Sequence, residues 1–168
     1  MNEDEASAYF RRSYGALDGL WFMKVEERFG FEVALDIDRE VWEVMPKIQA
    51  RMLKAMTGEE SGLTALLECL TTKLHWEGYL YDSGVSDDGK RLDLKIRECP
   101  WHRLLVTSGR EGLAARVGPR ICGTEYGMWA SEFGGGIRFS LESTICQGAP
   151  RCLLRFEEEA GTSRDDEG

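Results

Sequence analysis

No run of eighteen or more apolar residues interrupts this 168-residue chain, which excludes a membrane-spanning helix by length alone. The first residues, Met-Asn-Glu-Asp-Glu, lack the basic start of a secretory signal, so an unprocessed cytoplasmic protein is expected. Basic residues are too few to favour nucleic acid: 21 Lys and Arg stand against 30 Asp and Glu, a net charge of −9. Duplex DNA and anionic membranes are therefore poor partners, since both are held by cations that neutralise phosphate. Gly134-Gly-Gly136 precedes a strand rather than a helix and lacks a following Lys-Ser or Lys-Thr, so no phosphate-cradling loop is present. A Gly-x-Ser-x-Gly elbow and a His-Glu-x-x-His zinc helix are missing too. Internal repeats and an interdomain linker are also lacking. Cysteine is nearly absent from the first ninety-eight residues, where only Cys69 occurs.

The other four cysteines crowd the last third as Cys99-Pro-Trp-His102, Cys122, Cys146 and Cys152. A chain of this length buries a core without staples, and an odd cysteine count in a reducing compartment argues against a disulfide framework. Thiolate ligands, redox use and plain burial remain as readings of the crowding.

Apolar residues at helical spacing place a first helix from Leu17 to Phe29, stopped by Gly30. A second stripe, Ala34, Ile37, Val41, Met45, Ile48, Met52 and Met56, predicts a long helix closed by Thr57-Gly58, with a kink or break at Pro46. Ser61 caps a third helix over Gly62 to Leu74, which contains Cys69. Alternation from Trp76 to Tyr81, and again over Leu92, Leu94 and Ile96, predicts a hairpin with Asp88-Gly89 at its tip. Short helices are expected over Trp101–Val106, from Ser108 through Ala115, and over Ile121–Phe133. Ile137, Phe139 and Leu141, then Cys152, Leu154 and Phe156, form a second hairpin around Gln147-Gly-Ala-Pro150. The fold class is α+β: N-terminal helices, then an antiparallel sheet of about four strands built from two hairpins with helices between them. One domain is expected over residues 1–157, with an acidic, disordered tail over 158–168.

Soft-metal sites need thiolate and imidazole donors, with one pair close in sequence. Cys99-x-x-His102 offers such a pair, Cys146 and Cys152 flank a tight turn, Cys122 lies between, and Glu142 adds a carboxylate. A zinc site drawn from Cys99, Cys122, Glu142, Cys146 and Cys152 stands beside the reading of the same thiols as small core residues. Pro100 starts a helix behind Cys99, which places that thiol at a helix N-terminus with its pKa lowered; Cys99 with His102 is thus the candidate nucleophilic pair. Cys146 and Cys152 are the candidate redox pair. His75, at a helix–strand junction, reads as an ordinary hydrogen-bonded residue. The aromatic set Trp21, Phe22, Trp42, Trp76, Tyr79, Tyr81, Trp101, Tyr126 and Trp129 divides between core and the wall of a pocket for a flat or apolar ligand.

The segment Leu17–Leu35, the pair Val41-Trp42, Cys99-Pro-Trp, Cys122 and the closing Gly148-Ala-Pro-Arg-Cys152 resemble an uncharacterised prokaryotic family related to L-2-amino-thiazoline-4-carboxylic acid hydrolase, over roughly residues 10–157. The stretch from Glu142 through Cys152 also resembles the end of 4-vinyl-reductase-type small-molecule-binding domains. That resemblance implies a structural zinc held by cysteines and a glutamate beside an apolar pocket, matched here by Cys122, Glu142, Cys146 and Cys152. Two functions follow as expectations. One is a cytoplasmic binding domain for a small apolar or aromatic molecule, braced by zinc. The other is hydrolysis of a small amino-thiazoline-like heterocycle through Cys99 or a bound metal. A homodimer stays open.

Overall fold

The computed structural model describes residues 3–159, so most of the expected acidic tail lies outside the described residues. The chain opens with two 27-residue helices, α1 (Glu3–Phe29) and α2 (Phe31–Thr57), that pack side by side. Only Gly30 separates them, at φ 87°, a conformation that costs an L side chain about 1 kcal/mol or more. Its N–H closes α1 on the Glu26 carbonyl. Helix α2 runs unbroken through Pro46, correcting the expected break. Pro46 is itself buried, so packing offsets the one backbone donor it removes.

Helix α3 (Gly62–Glu77) is one turn longer than expected. Trp76 and Glu77 belong to it, not to the following strand. Strands β1 (Leu80–Val85) and β2 (Arg91–Glu98) form the first hairpin, turning through Asp87-Asp88-Gly89. Helix α4 (Pro100–Thr107) follows. In place of two further helices, a 3-10 turn over Glu111–Leu113 leads directly into a single helix, α5 (Ala114–Phe133), that passes through Pro119. The second hairpin is β3 (Ile137–Ser143) and β4 (Cys152–Glu158), with a 3-10 turn at Ile145–Gln147.

The two hairpins join through β2 and β4 into one antiparallel sheet of order β1-β2-β4-β3, so the expected α+β class holds. Register explains why the sheet has one apolar face. Leu92, Leu94 and Ile96 stand opposite Phe156, Leu154 and Cys152, and Phe139 and Leu141 continue two of these rows. Helices cover that face. The other face is polar and carries Asp93 paired with Arg155 at 2.8 and 3.1 Å. Leu66, Leu70 and Leu74 of α3 and Tyr126, Trp129 and Phe133 of α5 fill the core, each large side chain contributing about 1.5–3 kcal/mol of burial. Cys69 is a core residue here, its sulfur 3.6 Å from the Thr57 hydroxyl.

Apart from its first member, the buried Ala34, the stripe read along α2 is not its buried one. The helix buries Leu35, Trp42, Pro46, Ala50 and Leu53 and turns Val41, Ile48, Met52 and Met56 outward, Met56 being 66% exposed. On α1, Leu17 and Trp21 are likewise 67% and 64% exposed. Among the described residues, no helix is long and apolar enough to cross a membrane.

Candidate ligand cavity and its four thiols

Between the apolar sheet face and helices α1, α2, α4 and α5 lies a cavity of about 420 Å³. Small residues make room for it on α1. A Cβ on Gly19 would come within 3.4 Å of Leu104 on α4, and one on Gly15 within 4.0 Å of the Trp101 ring, so this face of α1 can lie close to α4. Trp101 is the joint of the wall, meeting Tyr14 edge to face at 5.6 Å and Trp42 at 5.9 Å. Leu154 and Ile96 form the sheet side, and Ile121 and Val117 the α5 side.

Of the aromatic set named from sequence, Phe22, Trp42, Tyr79, Trp101 and Tyr126 line the cavity. Trp21 and Trp76 are exposed, Trp129 is core, and Tyr81 donates to the Thr71 carbonyl at 3.1 Å. His75 is exposed on the last turn of α3.

Cys99, Cys122, Cys146 and Cys152 all reach the cavity wall, brought there from four separate elements, and His102 joins them. All five cysteines are free thiols. The sulfurs are engaged locally. Cys99 accepts the His102 backbone N–H at 3.5 Å as the N-cap of α4, and Cys152 accepts the Ile145 N–H at 3.3 Å while lying 3.8 Å from the Thr144 hydroxyl. Cys146 packs against the backbone of α5 at Gly118. Among the described residues, no three His, Cys, Asp or Glu side chains are grouped so that they could hold a metal ion. Glu142 is exposed, one residue beyond the inward-facing Leu141, and accepts from Ser140 at 2.6 Å. It is not among the residues that line the cavity with the thiols.

At Cys99 the helix start is not the only influence on the thiol. Burial pushes this thiol up to about 12, outweighing the backbone N–H bonds from His102 and Trp101 that favour the charged form. Burial also raises Cys122 far above the ordinary thiol range, and Cys146 to a lesser degree. The sequence-based expectation counted the helix N-terminus and not the apolar cavity beside it.

Four acidic groups near the cavity escaped the sequence reading. Lys73 on α3 is fully buried between Glu77, at 3.0 Å, and Glu125 on α5. Burial opposes its charge, but the two carboxylates outweigh that and keep the ammonium protonated. Burial raises Glu125 while Lys73 opposes the rise. Asp18 on α1 and Asp38 on α2 line the cavity without a cation. Burial lifts Asp18 to about 6, and burial together with the charge of Asp18 lifts Asp38 to about 7, against the pull of the Trp42 indole N–H. Asp38 falls on the buried row Leu35, Trp42, Pro46, one turn before Trp42, which is the signal that would have revealed it.

A family described as "Family of unknown function (DUF6125)" matches residues 5–150. No curated protein matches the chain. Among solved structures, an H-NOX protein from S. oneidensis in the Fe(II)NO ligation state aligns with a TM-score of 0.48 at 11% identity, over 83% of this chain and 72% of that one. The phenol-responsive sensory domain of the transcription activator PoxR, solved with phenol, aligns with a TM-score of 0.47 at 15% identity, over 86% and 73%. At TM-scores below 0.5 neither likeness bears on what this cavity holds. An uncharacterised family was expected and is found; the hydrolase and vinyl-reductase-type relations do not follow from these matches.

Proposed function

We propose that this chain, which belongs to the DUF6125 family over residues 5–150, is a small-molecule-binding domain whose cavity takes a mainly apolar, ring-bearing ligand. The carrying observation is the cavity itself. Its volume of about 420 Å³ lies within the range of ligand sites, its wall is aliphatic and aromatic, and a few polar groups converge on it. Such a space, left to water, wastes the contacts its wall could make; an apolar ligand would supply them.

Hydrolysis of an amino-thiazoline-like heterocycle through Cys99 has less support, because burial in the cavity wall raises that thiol and disfavours the thiolate. Binding accounts for the same residues without a reactive group.

The test is a thermal-shift titration with a neutral two-ring probe, 1-naphthylmethanol. Wild type should melt higher as the probe saturates, by mass action on the folded state. In Ile121→Trp, where an indole fills the cavity, the shift should vanish while the unliganded fold still melts cooperatively. No shift in wild type, or an equal shift in the filled variant, would contradict the reading.

A further inference from the structure

Asp18 and Asp38 face one largely apolar cavity from neighbouring helices. Among the described residues, the Asp18 carboxylate has neither a hydrogen bond nor an ion pair, and the group near Asp38 is the Trp42 indole. The basic side chains of the wall do not answer them. Arg110 is committed to Glu26 at 2.5 Å and lies over the Phe22 ring, and Lys73 behind the wall is held by Glu77 and Glu125. His102 on α4 is the remaining nitrogen base. Ionised carboxylates in an apolar place without a counter-ion cost folding free energy, a cost that a cationic ligand would offset.

A second observation points to a ligand independently of the acids. Tyr79 and Tyr126 are 5% and 1% exposed, line the same cavity, and have no hydrogen-bond partner for their hydroxyls among the described residues. Buried phenols ordinarily find a partner. These two hydroxyls are available to one that enters the cavity.

We propose that the ligand is an organic cation, an apolar or aromatic body with one protonated nitrogen that sits against Asp18 and Asp38. This rests on the reading of the cavity as a small-molecule site. The Trp42 and Trp101 rings in the same wall add aromatic surface that a cation prefers, and the Tyr79 and Tyr126 hydroxyls are available to a polar substituent of the body. An anionic ligand would meet three carboxylates, Asp18, Asp38 and Glu125, with no free guanidinium or ammonium to pair it.

Three probes of one shape and different charge decide this: 1-naphthylmethylammonium, 1-naphthylmethanol and 1-naphthoate, titrated calorimetrically into the full chain at about pH 8, where the acids are ionised. The ammonium should bind at least about tenfold more tightly than the alcohol, and the carboxylate most weakly. In Asp18→Asn/Asp38→Asn the preference for the ammonium should disappear while the affinity for the alcohol stays within about twofold. If the alcohol or the carboxylate binds wild type as tightly as the ammonium, the cation inference is overturned and the small-molecule reading stands. If none of the three binds, that reading falls and takes this one with it. The wild-type series decides the matter even if the double variant does not fold.

Discussion

A Cβ placed on Gly118 would overlap the side chain of Cys146, 2.6 Å from its Cβ and closer still to its sulfur, so helix α5 and the turn after β3 touch with no methyl group to spare. Both residues line the cavity where the second hairpin meets α5. Gly118→Ala should therefore destabilise the fold by about 1–3 kcal/mol in urea titration, as overpacking does. Combined with Cys146→Gly, which removes both clashing atoms, the loss should be smaller than the sum of the two single losses. Additive losses would mean that the two residues do not meet.

Asp18 and Asp38 make stability depend on pH in a stated direction. Their ordinary value is near 3.8, and in the fold they lie at about 6 and about 7. Between about pH 4 and pH 7 the unfolded chain has released protons that the folded chain still holds, so stability falls as pH rises through the folded values. Titratable groups of the same wall include Tyr79, Cys99, His102, Cys122, Glu125 and Tyr126; Tyr14 on α1 lies near Asp18, and Lys73 and Arg110 are already ion-paired. Asp18→Asn/Asp38→Asn should gain about 2 kcal/mol over wild type at about pH 8, after allowance for partial exposure, and almost nothing at about pH 4. Urea melts at the two pH values check this. A gain of equal size at both would show that it does not come from ionisation.

Cys99 and Cys122 should be slow thiols. With both pushed up by burial, alkylation by iodoacetamide at about pH 8 should run at least about a hundredfold slower at these positions in the folded protein than in urea, as read by peptide mass spectrometry. Fast labelling of Cys99 in the folded state would restore it as a nucleophile.

Much of the architecture was legible because local rules and tertiary packing agree there. Gly30 and Gly58 end helices where the apolar period stops, and the alternating residues of β2, β3 and β4 are the ones the sheet buries. Helix α2 was misread for a physical reason. It carries apolar residues on two faces, and periodicity does not say which face the core takes; Ala50, Pro46 and the acid Asp38 diluted the true one. The spacing of Cys99, Cys122, Cys146 and Cys152 drew attention to the four thiols, yet it said nothing of the local partners or of Gly118, against which the sulfurs lie in the cavity wall. Asp18 looked like the polar punctuation of an exposed helix because the cavity beside it comes from α4 and α5, far along the chain.

Removal of divalent metal should accordingly leave the fold unchanged. Dialysis against a strong chelator is expected to shift the melting temperature by less than about 1 °C, whereas a structural zinc site stripped of its metal would unfold. A loss of many degrees, restored by zinc, would return the cysteines to a metal.

The proposed binding of one small, mainly apolar molecule in the cavity is open to direct measurement. Its most direct measurement is calorimetric titration of 1-naphthylmethanol into wild type at several temperatures. Saturation at one molecule per chain and a negative heat-capacity change from burial of apolar surface are expected, both lost in Ile121→Trp. Heats that never saturate, or binding that survives the filled cavity, would contradict it.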